Sequence, residues 1–142
     1  MGEIPVKAPN FTFEAVSTQA TPTDPTGAAG PNHYVNGWNS AFSIFDKSGN
    51  QIMQPASLAS IGGEFTNETL GDPIILYDEF ADRFIISQFS DTPESFLIAV
   101  SQGPDPINDG WYTYRFTTNG VLPDYPKISV WGDGYYITTN KN

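Results

Sequence analysis

The twenty residues Leu70–Phe89, LGDPIILYDEFADRFIISQF, constrain the fold more than any other stretch of the chain. Asp72-Pro73 opens the unit, and Ile74, Ile75, Leu76 and Tyr77 form a short apolar run. Asp78 to Asp82 supply a polar turn. Arg83 to Phe89 follow as a second run rich in β-branched and aromatic residues. Apolar runs of this length, bounded by turn residues, read as a β-hairpin.

The pattern recurs on both sides. Toward the C-terminus, Asp124-Tyr125-Pro126 precedes Ile128, Val130 and Trp131, then a Gly132-Asp133-Gly134 turn and the strand Tyr135–Thr139. Toward the N-terminus, Asp24-Pro25 precedes Thr26–Gly30, a Pro31-Asn32 turn and His33-Tyr34-Val35. Asp24, Asp72 and Asp124 stand 48 and 52 residues apart. A strand-built repeat of roughly 40–50 residues has the period of a β-propeller blade. Tyr34, Phe84 and Tyr135 or Tyr136 are then equivalent, buried positions on second strands.

Filling in the strands supports that period. Trp38 to Asp46 alternates aromatic and polar residues, Lys47–Asn50 is a turn, and Gln51-Ile52-Met53 begins another strand. This gives a first unit of Thr26–Gly30, His33–Trp38, Ala41–Asp46 and Gln51–Gln54. Ser95–Ser101 and Trp111–Phe116 complete four strands in the second. The third unit, from residue 122, reaches only two. The units run over about residues 22–69, 70–121 and 122–142. The expected fold is therefore all-β: antiparallel four-stranded units making about two and a half propeller blades, with a β-sandwich as the alternative. Residues 1–142 form one β-rich module. Residues 1–10 read as extended, Phe11–Val16 as a strand, Ser17–Pro25 as a Thr/Pro-rich connector, and Ala56–Ile61 as one helical turn ended by Gly62-Gly63.

Composition narrows the function. Hydrophobic residues at 39% and aromatics at 14% exclude a disordered chain, even with 12 Pro and 13 Gly. Six Lys+Arg against 16 Asp+Glu give a net charge of −10. Such a chain repels phosphate backbones and anionic lipid surfaces, so neither nucleic acid nor a membrane is an expected partner. The same acidity suits cations. There is no Cys, so disulfides and thiolate metal sites are impossible. No apolar run approaches the roughly 20 residues that cross a bilayer. Met1–Pro5 lacks the basic and apolar regions of a signal peptide, and Met-Gly reads as an added start on an excised segment.

Four segments together resemble a known family: D-P-x-G-A-x-G-P-N-H-Y-V at Asp24–Val35, F-x-I-F-D-K-x-G at Phe42–Gly49, G-D-P-x-x-x-Y-D-x-x-A-D-R-F at Gly71–Phe84, and Y-P-K-x-x-V-W-x-D-G-Y-Y at Tyr125–Tyr136. They are similar to the propeller-like repeat modules of long secreted bacterial cell-surface proteins, the type carrying C-terminal sorting tails. The similarity covers most of residues 22–140. It implies a secreted, cell-surface location and a propeller-like fold, and no defined chemistry. The sequence carries no sorting tail, consistent with an excised piece.

Several residue sets are candidates for chemistry. Asp24, Asp72 and Asp124 open equivalent strands. Carboxylates converging on one channel mouth would suit Ca²⁺, whereas each alone would cap a turn before proline. Asp78, Glu79 and Asp82 crowd one hairpin loop and Asp133 the matching loop. They offer a carboxylate pair for glycoside hydrolysis, or a solvated turn with Asp82 paired to Arg83. Asp105 and Asp109 lack the D-x-D-x-D-G spacing of a calcium loop. His33 is the only His, so multi-histidine zinc sites are excluded; no G-x-S-x-G elbow accompanies it. Trp38, Trp111, Trp131 and Tyr112, with Tyr125 and Tyr135, offer either stacking faces for sugars or core packing. Asn10-Phe11-Thr12 and Asn67-Glu68-Thr69 match the glycosylation sequon.

These observations lead to the expectation of a non-catalytic extracellular binding or adhesion module, calcium-stabilised, recognising glycan or protein. The alternatives are a carboxylate-dependent, glycosidase-type propeller enzyme and a structural spacer. The two-stranded third unit leaves Tyr135–Thr139 as an open edge without charge or proline. Pairing with Phe11–Val16 or association of chains is the expected remedy, and isolated chains are expected either to self-associate through the Tyr135–Thr139 edge or to need the missing continuation.

Overall fold

The computed structural model describes residues 7–141; the expectations for Met1–Pro5 lie outside them. Ten strands fall into three antiparallel sheets. The first holds β1 (Thr26–Ala29), β2 (His33–Trp38), β3 (Ala41–Asp46) and β4 (Gln51–Ser57). The second holds β5 (Gly71–Asp78), β6 (Arg83–Asp91), β7 (Glu94–Ser101) and β8 (Trp111–Thr117). The third holds β9 (Pro123–Trp131) and β10 (Gly134–Lys141). Each sheet is a meander in chain order, and none closes on itself. The first strands β1, β5 and β9 lie side by side, so the sheets stack outward from a common inner edge, as in a partial propeller. The all-β reading and the antiparallel units hold, with strand counts of 4, 4 and 2.

Turn chemistry explains why the hairpins close where they do. Asp46 Oδ1 accepts from the amides of Ser48 and Asn50 at 2.8 and 2.9 Å, and its Oδ2 accepts from Asn50 Nδ2 at 2.8 Å. Those bonds, the Asn50 side chain first, hold the Asp46 carboxyl below its usual range despite some desolvation. Asp105 does the same for its loop, accepting from the amides of Ile107 and Asn108. Asp109 Oδ2 accepts the Asp105 amide at 2.9 Å. These two carboxylates fold the 102–110 loop and serve as turn residues.

The helical turn expected over Ala56–Ile61 is a 3-10 turn at Leu58–Ile61, with Ser57 Oγ accepting the Ala59 amide at 3.2 Å. Gly62-Gly63 does not end the segment. Gly63, at φ +56°, redirects it into a second 3-10 turn, Gly63–Glu68. Arg115 fastens that turn to β8 through Glu68 Oε1 at 2.6 Å and the Phe65 ring at 4.9 Å. This is the only ion pair among the described residues, so the Asp82–Arg83 pair is absent there. Asp82 instead accepts a hydrogen bond from the Tyr77 hydroxyl.

Phe11–Val16 is not a strand. Phe13 lies 5.0 Å from the Phe45 ring and 6.0 Å from the Tyr34 ring, and covers the outer face of the first sheet with side chains rather than ladder bonds. It therefore does not pair with the third unit. The main core lies between the first and second sheets: Val35, Phe42 and Ile44 meet Ile75, Phe84 and Ile86, with Leu58 and Ile61 closing one end. The Phe84 ring packs directly on the Gly30 backbone, where a Cβ would sit 2.8 Å from Phe84 Cζ. A smaller core joins Ile85, Phe96, Ile98 and Val100 of the second sheet to Val130 and Ile137 of the third. Tyr34, Phe84 and Tyr135 each point toward what precedes their own sheet, as the repeat requires. Only Phe84 is fully buried, because only it has four strands in front of it.

Candidate functional site

The inner strands are each entered through a proline whose preceding residue is left-handed: Asp24 at φ 44°, Asp72 at 48° and Tyr125 at 52°. Such residues are uncommon, and Asp is among those that tolerate the region. The structural equivalent of Asp24 and Asp72 is therefore Tyr125, and Asp124 stands one position earlier. The third unit has its proline and its backbone turn but not the carboxylate at that place. Identical Asp residues near a proline suggest the wrong register; backbone conformation supplies the right one.

These three entries line one cavity of about 390 Å³, bounded by Asp24-Pro25-Thr26, Asp72-Pro73-Ile74 and Tyr125-Pro126-Lys127-Ile128. Asn39 ties two of them together. Its Nδ2 donates to Asp24 Oδ2 and its Oδ1 accepts the Asp72 amide, both at 3.2 Å. Thr26 Oγ1 accepts the Ile75 amide at 3.1 Å and fixes β1 against β5. Burial raises the Asp72 carboxyl above its usual range. The neighbouring Asp24, through charge and a shared hydrogen bond, raises it further, Asp124 adds to this, and Lys127 opposes it. Lys127 Nζ sits 3.6 Å from the centre of the exposed Tyr125 ring, a cation–π contact. The mouth thus brings Asp24 and Asp72 together and leaves Asp124 at its margin. Among the described residues, no group of three or more His, Cys, Asp or Glu is placed to hold a metal ion.

The other candidates divide. Asp78 is a structural cap: Oδ1 accepts the amides of Phe80 and Ala81 at 2.9 and 3.1 Å, and Oδ2 accepts the Tyr135 hydroxyl at 2.6 Å. Burial alone would raise its pKa, but those bonds outweigh it and hold the carboxyl below its usual range. Burial first, then the Asp78 carboxylate, push the Tyr135 hydroxyl up to about 12. Asp133 accepts from the Tyr136 hydroxyl at 3.0 Å. His33 opens β2, with Nδ1 buried and unpartnered.

The four aromatic residues read as stacking faces do not share a surface. Trp38 is buried. Trp111 packs against the main core and donates its Nε1–H to the Pro106 carbonyl at 3.1 Å. Trp131 is 71% exposed, on the face of β9 turned away from the second sheet. Tyr112 lies in a separate groove. Strand alternation places Trp38 and Trp111 inward, and composition alone carries no such parity. Comparison with family models, curated proteins and solved structures found no match to the chain, so the site stands on its own geometry. No helix among the described residues is long and apolar enough to cross a membrane.

Proposed function

We propose that the chain is a non-catalytic extracellular binding module, of the kind carried by long bacterial cell-surface proteins, which takes a glycan at the mouth of its inner strands. One observation carries this reading: the structurally equivalent, proline-centred tripeptide of each unit contributes to one cavity of about 390 Å³. Its chemistry suits a sugar. The Asp24 and Asp72 carboxylates accept from hydroxyl groups, Lys127 donates, and the Tyr125 ring offers an apolar face to sugar C–H groups. Calcium enters this reading as an ion shared between the two carboxylates and the sugar's own hydroxyls, since Ca²⁺ takes six to eight oxygen ligands.

A glycan array probed with the whole chain, in Ca²⁺ and in EDTA, tests the proposal. Binding is expected, and Asp72→Asn and Tyr125→Ala should each weaken it at least ten-fold. No binding in either buffer, or binding indifferent to both substitutions, would leave the module a spacer.

A further inference from the structure

The connector between the second and third sheets carries a dipeptide with chemistry of its own. An Asn or Asp followed by Gly can close a five-membered ring on its own backbone. The glycine amide nitrogen attacks the adjacent side-chain carbonyl carbon, and glycine has no Cβ to shield that nitrogen. The chain holds four such pairs: Asn36-Gly37, Asp109-Gly110, Asn119-Gly120 and Asp133-Gly134. The fold treats them differently.

Three are held away from reaction. Asn36 is 6% exposed within β2, and Gly37 is buried between Thr26 of β1 and Phe42 of β3. Asp109 Oδ2 accepts the Asp105 amide at 2.9 Å, and the Gly110 carbonyl accepts the Gln102 amide at 3.0 Å. The Asp133 oxygens accept from the Tyr136 hydroxyl at 3.0 and 3.1 Å, and Gly134 begins β10 opposite Trp131. Ring closure at any of these would first break a hydrogen bond or open a ladder.

Asn119-Gly120 carries no such restraint. Both residues are exposed, in a bend between β8 and β9. Among the described residues, neither the Asn119 side chain nor the Gly120 amide has a hydrogen-bond partner. A Cβ built on Gly120 would meet nothing within 4 Å, so no neighbour shields the amide. Asn119 stands at φ 56° and Gly120 at 80°, and the left-handed region is uncommon for any residue but glycine. The flanks, by contrast, are fixed. The Thr118 amide and hydroxyl donate to the Glu94 carbonyl at 3.0 and 2.9 Å, and the same hydroxyl bonds the Val121 carbonyl. The reactive pair is an open loop tip on an anchored base.

We propose that Asn119-Gly120 is a self-modification site, at which the folded chain deamidates while its other three pairs stay intact. The Gly120 nitrogen attacks Asn119 Cγ. A C–N bond forms, the Cγ–Nδ2 bond breaks, and ammonia leaves with the proton of the Gly120 amide. Water then opens the resulting succinimide at either C–N bond. One opening gives an aspartate at position 119, and the other an isoaspartate, whose main chain runs through the side-chain carbon. The net reaction consumes one water and releases one ammonia, and it adds one negative charge to a chain of −10. The isoaspartate also inserts one atom into the main chain between Thr118 and Val121. The tether that carries β9 and β10 lengthens, and the Thr118–Val121 bond at its base is the contact that gives way.

The whole chain, held in warm, mildly alkaline buffer with and without concentrated urea, tests the proposal. Peptide mass spectrometry follows all four pairs, and labelling by an isoaspartyl methyltransferase counts the isoaspartate. In the folded chain, Asn119 is expected to convert at least ten-fold faster than Asn36, with one ammonia released per conversion. In urea the two asparagines should convert at similar rates, since each is followed by glycine. Gly120→Ala should slow position 119 at least ten-fold in both buffers, and the urea arm keeps that result independent of whether the variant folds. Conversion at Asn36, Asp109 or Asp133 that matches Asn119 in the folded chain would overturn the proposal. So would an Asn119 that converts ten-fold more slowly folded than in urea, because the fold would then protect it.

Discussion

The second sheet has two faces and they meet different fates. Toward the first sheet, Ile75, Phe84 and Ile86 are at most 2% exposed and lie against four strands and a 3-10 turn. Toward the third sheet, Ile85, Ile98 and Val100 are buried, but the row ends Tyr112, Tyr114 and Phe116 are open. Residue types hardly separate the faces, as both are apolar and aromatic. The number of strands opposite separates them. A buried side chain reports what stands in front of it at least as much as its own hydropathy.

The sharpest way to break this comparison is to truncate one ring on each face. Phe84→Ala is expected to cost about 3–5 kcal/mol, the range for a large aromatic lost from a packed core. Phe116→Ala on the open face should cost under about 1 kcal/mol, since a half-exposed ring loses little burial. Urea unfolding of both variants decides the matter, and similar losses would mean that the open face is covered in solution. Adding a methyl group comes next. Gly30→Ala drives a Cβ against buried Phe84 and should cost about 1–3 kcal/mol, as overpacking does. Gly134→Ala meets nothing within 4 Å and should be nearly neutral.

A smaller effect belongs to the clamp between the second and third sheets. Tyr135→Phe removes the donor to Asp78 Oδ2 and should cost about 1–2 kcal/mol near neutral pH, as for hydrogen bonds to charged groups. The Asp78 carboxyl is lowered in the folded chain. Its contribution is therefore present above the unfolded pKa and is lost as pH falls through the folded one. The Tyr135→Phe deficit should shrink in acid, and a deficit independent of pH would remove Asp78 from the account.

The smallest expected effect has the opposite sign. Asp72 is raised in the folded chain, so its contribution is full below the unfolded pKa and lost as pH rises through the folded one. Asp72→Asn should raise the melting temperature at neutral pH by relieving the pair with Asp24. Below pH 3.8, the ordinary value for an aspartate, the gain should vanish. A lower melting temperature at neutral pH would show that the Asp24–Asp72 contact is attractive.

Much of this architecture is legible from the sequence. β2 and β3 begin and end where alternation and the turn residues place them, because Asp46 and Asn50 announce their own turn chemistry. The three units follow from spacing alone. Other features depend on contacts that no local pattern encodes. Phe11–Val16 alternates like a strand, yet its Phe13 ring packs on Phe45 and Tyr34 at the outer face of the first sheet. Asp124 looks like the third member of a carboxylate set until the left-handed turn falls on Tyr125. Trp38 and Trp111 are indistinguishable from binding residues until strand parity turns them inward. The Tyr135–Asp78 bond spans 57 residues, and nothing near either partner signals it.

That bond also makes the chain its own indicator. The Tyr135 hydroxyl is displaced upward, from 10.0 to about 12. It stays un-ionised at a pH where an ordinary phenol loses its proton, but only as long as β9–β10 remains docked. A phenolate absorbance titration of the chain, with its Tyr135→Phe variant subtracted, therefore isolates this one proton among the seven tyrosines. The fraction of Tyr135 that ionises early is the fraction of molecules in which the third sheet has let go.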